Sequence, residues 1–401
     1  MGYTASGTIE RPYLIPIIMG AAALAAGFIA YKFSHETEGH GADAVIKSFH
    51  KKHGQVRERV ALIELVNSSL TIGSGGSAGG EGPISLICAS LGSTFSKVLH
   101  LSDEDRKMIS AVAVGSGIAA ILKAPLGGAL FGAEFLYKRD MEVKAVYPSM
   151  IASVVSFAIY GIVVGYGPLF GNVSYAVSLN LIPFFIAAGL ASGIFARIYV
   201  KVYHALSGWF HKIHYAEFVK PAMGALIASA IVILVPETLG EGILWMSFMA
   251  KGDITGFIFT YGIPLALFFL LLAIFKIVAT SFTVGSGASG GVFVPGLFIG
   301  GSFGIATALA LHAVFPDAIT VGMAGIFAIV GMVAFFGASA KTPISLAIIG
   351  LELVGSLSIL PFIIMAVFAA YITSGNDTIF RSQVEDKEMD RLVSPANPST
   401  T

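Results

Sequence analysis

One carboxylate of this 401-residue chain lies where carboxylates are rare. Glu81 is the only charged residue of Thr71–Pro83, a run of glycine and other small residues with the sequence TIGSGGSAGGEGP. A carboxylate inside an apolar membrane segment is costly, and such groups are common in proton relays. Because it can hold a proton or release it, Glu81 is the first candidate for chemistry. That chemistry is proton transfer, or a negative charge that is switched on and off.

The run around Glu81 recurs later in the chain. Thr283–Pro295, TVGSGASGGVFVP, is identical to it at seven of thirteen positions with an offset of 212 residues, and has Phe293 in place of the glutamate. A second pair follows in the same order. Lys123–Phe135 and Lys341–Leu353 agree at five of thirteen positions with an offset of 218. Two ordered pairs at nearly one offset indicate a duplicated unit, and duplicated halves of membrane transporters usually meet at a substrate site near the bilayer midplane.

Each repeated run is a series of glycines that ends at a proline, and an apolar segment follows. Proline suits the first position of a helix, and glycine permits the tight turn before it. The pattern predicts two helix N-termini inside the membrane, and such termini attract anions. Two that converge would form an anion site from the main-chain amides of Gly80, Gly82, Val292, Phe293 and Val294. For either run alone, close packing of helices through small residues is the alternative explanation.

The composition requires a membrane around these runs. Hydrophobic residues make up 55% of the chain, and Lys+Arg 24 with Asp+Glu 24 give only 48 charges among 401 residues. So few charges cannot cover a water-facing surface, which nearly excludes a soluble enzyme. The zero net charge gives no sign of a nucleic-acid partner. Candidate spans are Tyr13–Tyr31, Val143–Val164, Leu181–Val200, Ala222–Val235, Thr260–Thr280, Ser302–Phe315, Ala324–Ala338 and Ile359–Ile372.

Shorter apolar runs are broken by glycine and proline, which indicates helices that enter the membrane without crossing it cleanly. The prediction is an all-α polytopic membrane protein of two inverted-topology repeats, built from tilted and broken transmembrane helices. We place the first repeat at 1–170 and the second at 171–376, because the turn-rich segment Tyr166–Ser174 is the best boundary. Residues 377–401 form a C-terminal helix end and a polar tail. No pattern in the chain calls for a cofactor or a metal.

At these residues the chain resembles the CLC family of chloride channels and chloride/proton antiporters. Gly79-Gly80-Glu81-Gly82-Pro83 is similar to the family's gating-glutamate motif, and Gly291-Val292-Phe293-Val294-Pro295 to its G-x-F-x-P motif. The resemblance runs from about Tyr13 to Gln383. It implies a CLC-type fold, Glu81 as the gate, and chloride transport through one pathway in each subunit of a homodimer, as proton-coupled exchange or as a channel. It also implies an integral protein of a prokaryotic inner membrane, and that one or two helices are missing before Tyr13–Tyr31.

The chain departs from the family's pattern at three site positions. His40 stands where a serine hydroxyl usually faces the anion, and Phe380 where a tyrosine often supplies a second hydroxyl. Main-chain amides must then carry most of the anion binding, aided by His40. The inner proton-transfer glutamate of exchangers falls at Phe135, which leaves the neighbouring Glu134 as a candidate for an inner proton route. A solvated loop histidine is the alternative for His40. A helix end is the alternative for Glu134, which shares its repeat position with Glu352.

Two enzyme motifs are present only in part. Gly287–Gly290 matches the G-x-S-G motif of rhomboid-like intramembrane serine proteases, a chemistry that needs a histidine to take the serine proton. His312 is the only histidine that follows, and the first repeat has Ser77 at the matching place. His35 and His40 are five residues apart, whereas zinc binding on one helical face needs a spacing of four. The sequence therefore predicts a transporter rather than an enzyme, with the rhomboid-like protease as the alternative.

Overall fold

The computed structural model describes residues 11–175, 178–254 and 263–393. Every regular element in these ranges is a helix. In chain order the helices are α1 (Leu14–Phe33), α2 (Gly41–Lys51), α3 (Arg59–Gly73), α4 (Glu81–Val98), α5 (Asp103–Leu122), α6 (Pro125–Glu134), α7 (Val143–Val164), α8 (Ile182–Lys212), α9 (Lys220–Leu234), α10 (Ile243–Ala250), α11 (Leu265–Gly285), α12 (Phe293–Val314), α13 (Ala324–Ala340), α14 (Pro343–Val354), α15 (Leu360–Thr373) and α16 (Lys387–Val393). The two ends of the predicted domain scheme, 1–10 and 394–401, and the first residues of the predicted span Thr260–Thr280 lie outside the described residues.

Seven of the described helices are long and apolar enough to cross a bilayer, namely α1, α7, α8, α9, α11, α12 and α13, some together with the short 3₁₀ turn before them. Their burial distinguishes the periphery of the protein from its centre. The apolar window of α7 is 17% buried, whereas that of α13 is 83% buried. A long apolar helix with so little cover must face lipid, and α13 is surrounded by other helices instead. The predicted polytopic all-α architecture is confirmed.

Some helices extend beyond the apolar runs that predicted them. α5 begins with a charged turn at Asp103, because the Ser102 hydroxyl accepts the N–H of Asp105 at 3.2 Å and acidic residues favour a helix N-terminus. α12 begins at Phe293, well before the predicted start at Ser302. Its glycine and proline residues therefore open the helix themselves. This places a helix N-terminus at the second repeated run, as the pattern predicted.

The two repeats meet at α4 and α12 and again at α6 and α14. Gly79 and Gly291 pair through main-chain hydrogen bonds, which bring the N-termini of α4 and α12 together. The second contact is reciprocal. Glu134, at the end of α6, accepts two N–H groups of the first turn of α14 at 3.0 and 2.7 Å. Glu352, at the end of α14, accepts two N–H groups of the first turn of α6 at 3.0 and 2.7 Å.

Candidate functional site

Glu81 lies between the two helix N-termini. It opens α4 and is 3% exposed, and its carboxylate lies near its own main-chain N–H and that of Val294 in the first turn of α12. Its Oε2 has no hydrogen-bond partner among the described residues. The backbone around the carboxylate leaves no room for a side chain larger than that of glycine. A Cβ on Gly79 would lie 2.3 Å from Glu81 Oε2, and a Cβ on Gly291 would lie 3.3 Å from the same atom. The glycine runs therefore form a close-fitting main-chain seat for a carboxylate.

A small void lies beside the carboxylate. Its volume is about 10 Å³, and its lining includes six residues that the sequence singled out, namely His40, Glu81, Gly82, Val292, Phe293 and Phe380. A space of this size holds roughly one water-sized probe, so the void is a constriction. Two other predicted residues face elsewhere. Gly80 lies against the Glu241 carboxylate, and Val294 lies near Glu81 without lining the void.

His40 lies at the other side of this void. It is the N-cap residue of α2, and its Nδ1 accepts the N–H of Asp43 at 3.3 Å. Because Nδ1 acts as an acceptor, the neutral ring carries its hydrogen on Nε2 and retains one donor. The His40 ring is 5.5 Å from that of Phe380, and Asp43 fixes the chain beyond Phe380 by accepting the N–H and the hydroxyl of Ser382 at 2.8 and 2.9 Å.

A large cavity, which we call the vestibule, begins at His40. Its volume is about 510 Å³, and besides His40 it is lined by charged and polar side chains that include Glu36, Lys47, His204 and Arg381. The cavity leads from solvent to the ring of His40, and beyond that ring lies the void beside Glu81. The arrangement is a wide polar approach, a constriction, and a buried carboxylate beside two helix N-termini. Such a path can bind an anion without a full positive charge at the constriction.

This geometry agrees with the comparison to known proteins. The family described as voltage gated chloride channel matches residues 22–375 of the chain. The chain belongs to the voltage-gated chloride channel family. The resemblance to the CLC proteins is thereby confirmed, and the protein is a multi-pass integral membrane protein.

Individual known proteins are similar to the chain over most of their length. The chain is 28% identical over 369 residues to an uncharacterized protein of Methanocaldococcus jannaschii, covering 92% of this chain and 86% of that protein. It is 29% identical over 369 residues to the H(+)/Cl(-) exchange transporter ClcA of Salmonella arizonae, covering 89% and 74%. A solved structure of a slow cyanobacterial Cl⁻/H⁺ antiporter shares its fold, with a TM-score of 0.81 at 20% identity over 96% of this chain and 88% of that one.

The structure shows a third repeated element that the sequence analysis missed. The segments 36–41, ETEGHG, and 237–242, ETLGEG, agree at four of six positions with an offset of 201. Both loops dock on the glycine run of the other repeat at equivalent places. Gly39 N–H donates to Gly287 O at 3.2 Å, and Gly240 N–H donates to Gly75 O at 3.0 Å. Glu241 is therefore the counterpart of His40, and the E-T-x-G-x-G pattern could have identified it.

Two buried charged residues were also missed as site residues. Glu64 in α3 and Lys276 in α11 occupy one repeat position, since 276 minus 64 gives the offset of 212 found for the glycine runs. Both are 0% exposed. The Lys276 Nζ donates to Thr238 O at 2.9 Å and to Gly240 O at 2.6 Å, so that it supports the loop that carries Glu241. Glu64 accepts the hydroxyl of Ser289 at 2.9 Å.

Glu134 does not line the void. In addition to the two N–H groups of α14 it accepts the Ser345 hydroxyl at 2.5 Å, so its carboxylate is engaged as a helix cap. Phe135 is fully buried and stacks on Phe131 with ring centroids 5.3 Å apart. At this place the chain thus has an apolar contact instead of an ionisable side chain. The capping arrangement favours the helix-end interpretation of Glu134 over the proton route.

The residues of the partial enzyme motifs are not arranged for catalysis. The Ser289 hydroxyl donates to Glu64, and His312 Nδ1 contacts Ile319 O at 2.6 Å, at the far end of α12. No serine–histidine pair forms between the two residues that the rhomboid-like interpretation requires. His35 comes close to Glu38 and Glu217 on the exposed surface, and His40 is not a member of that group. Family membership and geometry both support transport.

Proposed function

We propose that the protein exchanges chloride for protons, with Glu81 as the gate that both substrates use. One observation supports this above the others: the buried Glu81 carboxylate lies where the N-termini of α4 and α12 meet, against Gly79 and Gly291. A helix N-terminus is a site for an anion, and here the anion is the protein's own side chain. A chloride ion that reaches this place must displace the carboxylate. Protonation removes the negative charge and weakens the attraction of Glu81 to the two helix N-termini.

This competition between chloride and the Glu81 carboxylate couples the movement of chloride to the movement of protons. When chloride enters, Glu81 is pushed out and can take a proton from solvent on the far side. When chloride leaves, the proton must leave Glu81 before the carboxylate regains its seat. Gly82, Val292 and Phe293 line the void beside Glu81, and their main-chain amides would bind the ion there. The amide of Val294 would join them when Glu81 moves, and that of Gly80 if Glu241 also moves. His40 supplies the Nε2–H donor on the vestibule side, and Phe380 an apolar wall.

The proposed oligomeric state follows from the resemblance to the CLC family. We infer a homodimer with one pathway in each subunit, in the inner membrane of a prokaryote. The equivalent residues Leu126 of α6 and Ile344 of α14 are 50% and 42% exposed, so both helices present apolar side chains at the outer surface of the seam between repeats. Exposed apolar side chains on a membrane protein meet lipid or a second copy.

Reconstitution in liposomes tests the function. Chloride efflux and internal pH are recorded together after a chloride gradient is imposed. Exchange predicts that chloride moving down its gradient drives protons uphill, and that Glu81→Gln abolishes the proton movement while chloride still flows. Glu352→Gln, which alters a carboxylate that caps α6 and does not line the void, should leave both fluxes coupled. Chloride flux without any proton movement in the unsubstituted protein would show an uncoupled channel.

A further inference from the structure

Glu64 is a buried acid whose hydrogen-bonding needs are unmet. It lies in α3 with no solvent exposure, and the Ser289 hydroxyl is the donor to its Oε1. Within the described part of the chain, Glu64 Oε2 has no hydrogen-bond partner, and no lysine, arginine or histidine forms an ion pair with the carboxyl group. A charged carboxylate with one donor in an apolar interior is strongly disfavoured. We therefore expect the carboxyl group of Glu64 to be protonated.

A second unmet acceptor lies one helical turn away. Asn67 is buried on the same face of α3, at the i+3 position, and its Oδ1 likewise has no partner among the described residues. The orientation of its amide is fixed, because Asn67 Nδ2 donates to Thr37 Oγ1 at 3.0 Å while the Thr37 hydroxyl donates to Ser34 O at 2.8 Å. A hydrogen on Glu64 Oε2 that is directed at Asn67 Oδ1 satisfies both orphan atoms at once.

Glu64 also lies between the vestibule and the gate. On one side is the loop of Thr37, whose neighbours Glu36 and Glu38 line the vestibule. On the other side is Ser289, two residues before Gly291. Two residues span at most about 7 Å, and Gly291 adjoins the carboxylate of Glu81. A polar chain from Thr37 through Asn67 and Glu64 to Ser289 thus runs from the edge of the vestibule toward the gate.

We propose that Glu64 is the inner proton-carrying acid of this transporter, a role that rests on the proposed proton-coupled function. In the forward step the proton of Glu64 passes to the Glu81 carboxylate, through the Ser289 hydroxyl or a water beside it. The O–H bond at Glu64 breaks as an O–H bond forms at Glu81, leaving a Glu64 carboxylate. A proton from the vestibule then restores Glu64. One proton crosses, and no other reactant is consumed.

The repeat partner of Glu64 shows what a purely structural charged residue looks like at this position. Lys276 is equally buried, but its ammonium group donates to two carbonyl oxygens and lies 5.0 Å from the ring centroid of Phe298. Its hydrogen-bonding needs are met, which suits a fixed role. Glu134, the acid at the place that the family pattern favours, is likewise engaged by donors on both oxygens. Of these three groups, only Glu64 keeps an unpartnered polar atom.

The decisive experiment compares three carboxylates in the liposome assay. Glu64→Gln should keep most of the chloride flux and lower the protons moved per chloride at least about tenfold, as expected when a buried relay group is lost. Glu352→Gln is the matched control and should keep the coupling of the unsubstituted protein. If Glu64→Gln pumps protons normally, or if Glu134→Gln loses coupling while Glu64→Gln keeps it, the assignment is wrong. Absence of proton movement in the unsubstituted protein would instead refute the proposed exchange itself.

A second measurement covers the case in which Glu64→Gln does not fold. Ser289→Ala leaves the acid in place and removes its hydroxyl partner, and it should also lower coupling while chloride still flows. Infrared difference spectroscopy reports the acid directly. The unsubstituted protein should show a carboxylic acid carbonyl band at neutral pH that shifts in Ser289→Ala because a hydrogen bond to the group is lost. Normal coupling in Ser289→Ala together with an unshifted band would overturn the proposal.

Discussion

Gly79 and Gly291 exchange two main-chain hydrogen bonds, at 2.8 Å from Gly79 N to Gly291 O and at 2.6 Å from Gly291 N to Gly79 O. This pair joins the two repeats at the point where α4 and α12 begin. It also brings the backbones so close that side chains do not fit. A Cβ on Gly82 would lie 2.9 Å from Gly291 Cα, and a Cβ on Gly291 would lie 2.7 Å from Gly82 N. The spacing of the two helix N-termini thus depends on glycine.

Gly291→Ala should therefore separate the two N-termini and displace Glu81. Overpacking of this kind costs about 1–3 kcal/mol of stability, and we expect a lower thermal unfolding midpoint and loss of most chloride flux. Gly73→Ala is the matched control, because a Cβ on Gly73 meets nothing within 4 Å. Flux and unfolding of the two variants are compared in liposomes and in detergent. Equal flux in both variants would contradict the steric argument.

The sequence predicted those parts of the site in which the two repeats have identical residues. The two glycine runs, the place of Glu81 and the position of Phe293 opposite it follow from the offset of 212. The pairing of the blocks that form α6 and α14 follows in the same way from the offset of 218. In each case the residue type itself carries the signal, because a glycine or proline at a fixed place dictates how the backbone turns.

The sequence did not predict features that depend on helix packing. It also did not predict features in which equivalent positions of the two repeats have different residue types. Glu64 and Lys276 share a repeat position but differ in charge, so a search for identities passes over them. The loops of His40 and Glu241 are related by an offset of 201 rather than 212, since the segments that join them to the glycine runs differ in length. The void and the vestibule exist only once the helices are packed, and no local pattern encodes their volumes.

The reciprocal caps of α6 and α14 predict a paired effect on stability. Glu134→Ala and Glu352→Ala each leave two N–H groups of a helix N-terminus without an acceptor, and each should lower stability by about 1–2 kcal/mol. The glutamine variants keep an oxygen acceptor and should lose less. The midpoints of thermal unfolding in detergent provide the comparison. If alanine and glutamine variants unfold alike at both positions, the capping contacts do not contribute.

His40 is predicted to bind the anion through Nε2–H. A neutral hydrogen bond contributes about 0.5–1.5 kcal/mol, which is roughly 2–12-fold in affinity. His40→Ala should weaken chloride binding by that factor, while His40→Ser offers a hydroxyl and should recover part of it. A competition series of chloride, nitrate and fluoride, measured for all three proteins, shows whether this donor also sets the preference among anions. Unchanged affinities in His40→Ala would leave His40 a solvated loop residue.

The C-terminal helix α16 is held by a buried ion pair at the end of the chain's described part. Asp390 Oδ1 lies 2.7 Å from His50 Nδ1, and Asp390 Oδ2 lies 3.4 Å from Lys107 Nζ. His50 Nε2 also contacts Leu136 O at 3.0 Å, so the contact joins α16 to α2 and to the residues that follow α6. Burial by itself would raise the pKa of Asp390, but the hydrogen bond and charge of His50, together with Lys107, outweigh it and hold that pKa below its ordinary value.

The lowered pKa of Asp390 fixes the direction of the pH dependence. A carboxyl group whose pKa is depressed by folding stabilises the folded state above its unfolded pKa, about 3.9, and this contribution is lost as the pH falls through the folded value. We therefore expect α16 to stay docked from neutral pH to about pH 4 and to loosen only below that range. Hydrogen exchange of the α16 amides, corrected for intrinsic rates, measures this. Asp390→Asn should exchange rapidly at all these pH values, whereas Glu388→Gln removes an equal charge from the exposed face of α16 and should exchange as the unsubstituted protein does. Slow exchange in Asp390→Asn at neutral pH would show that the ion pair does not hold the helix.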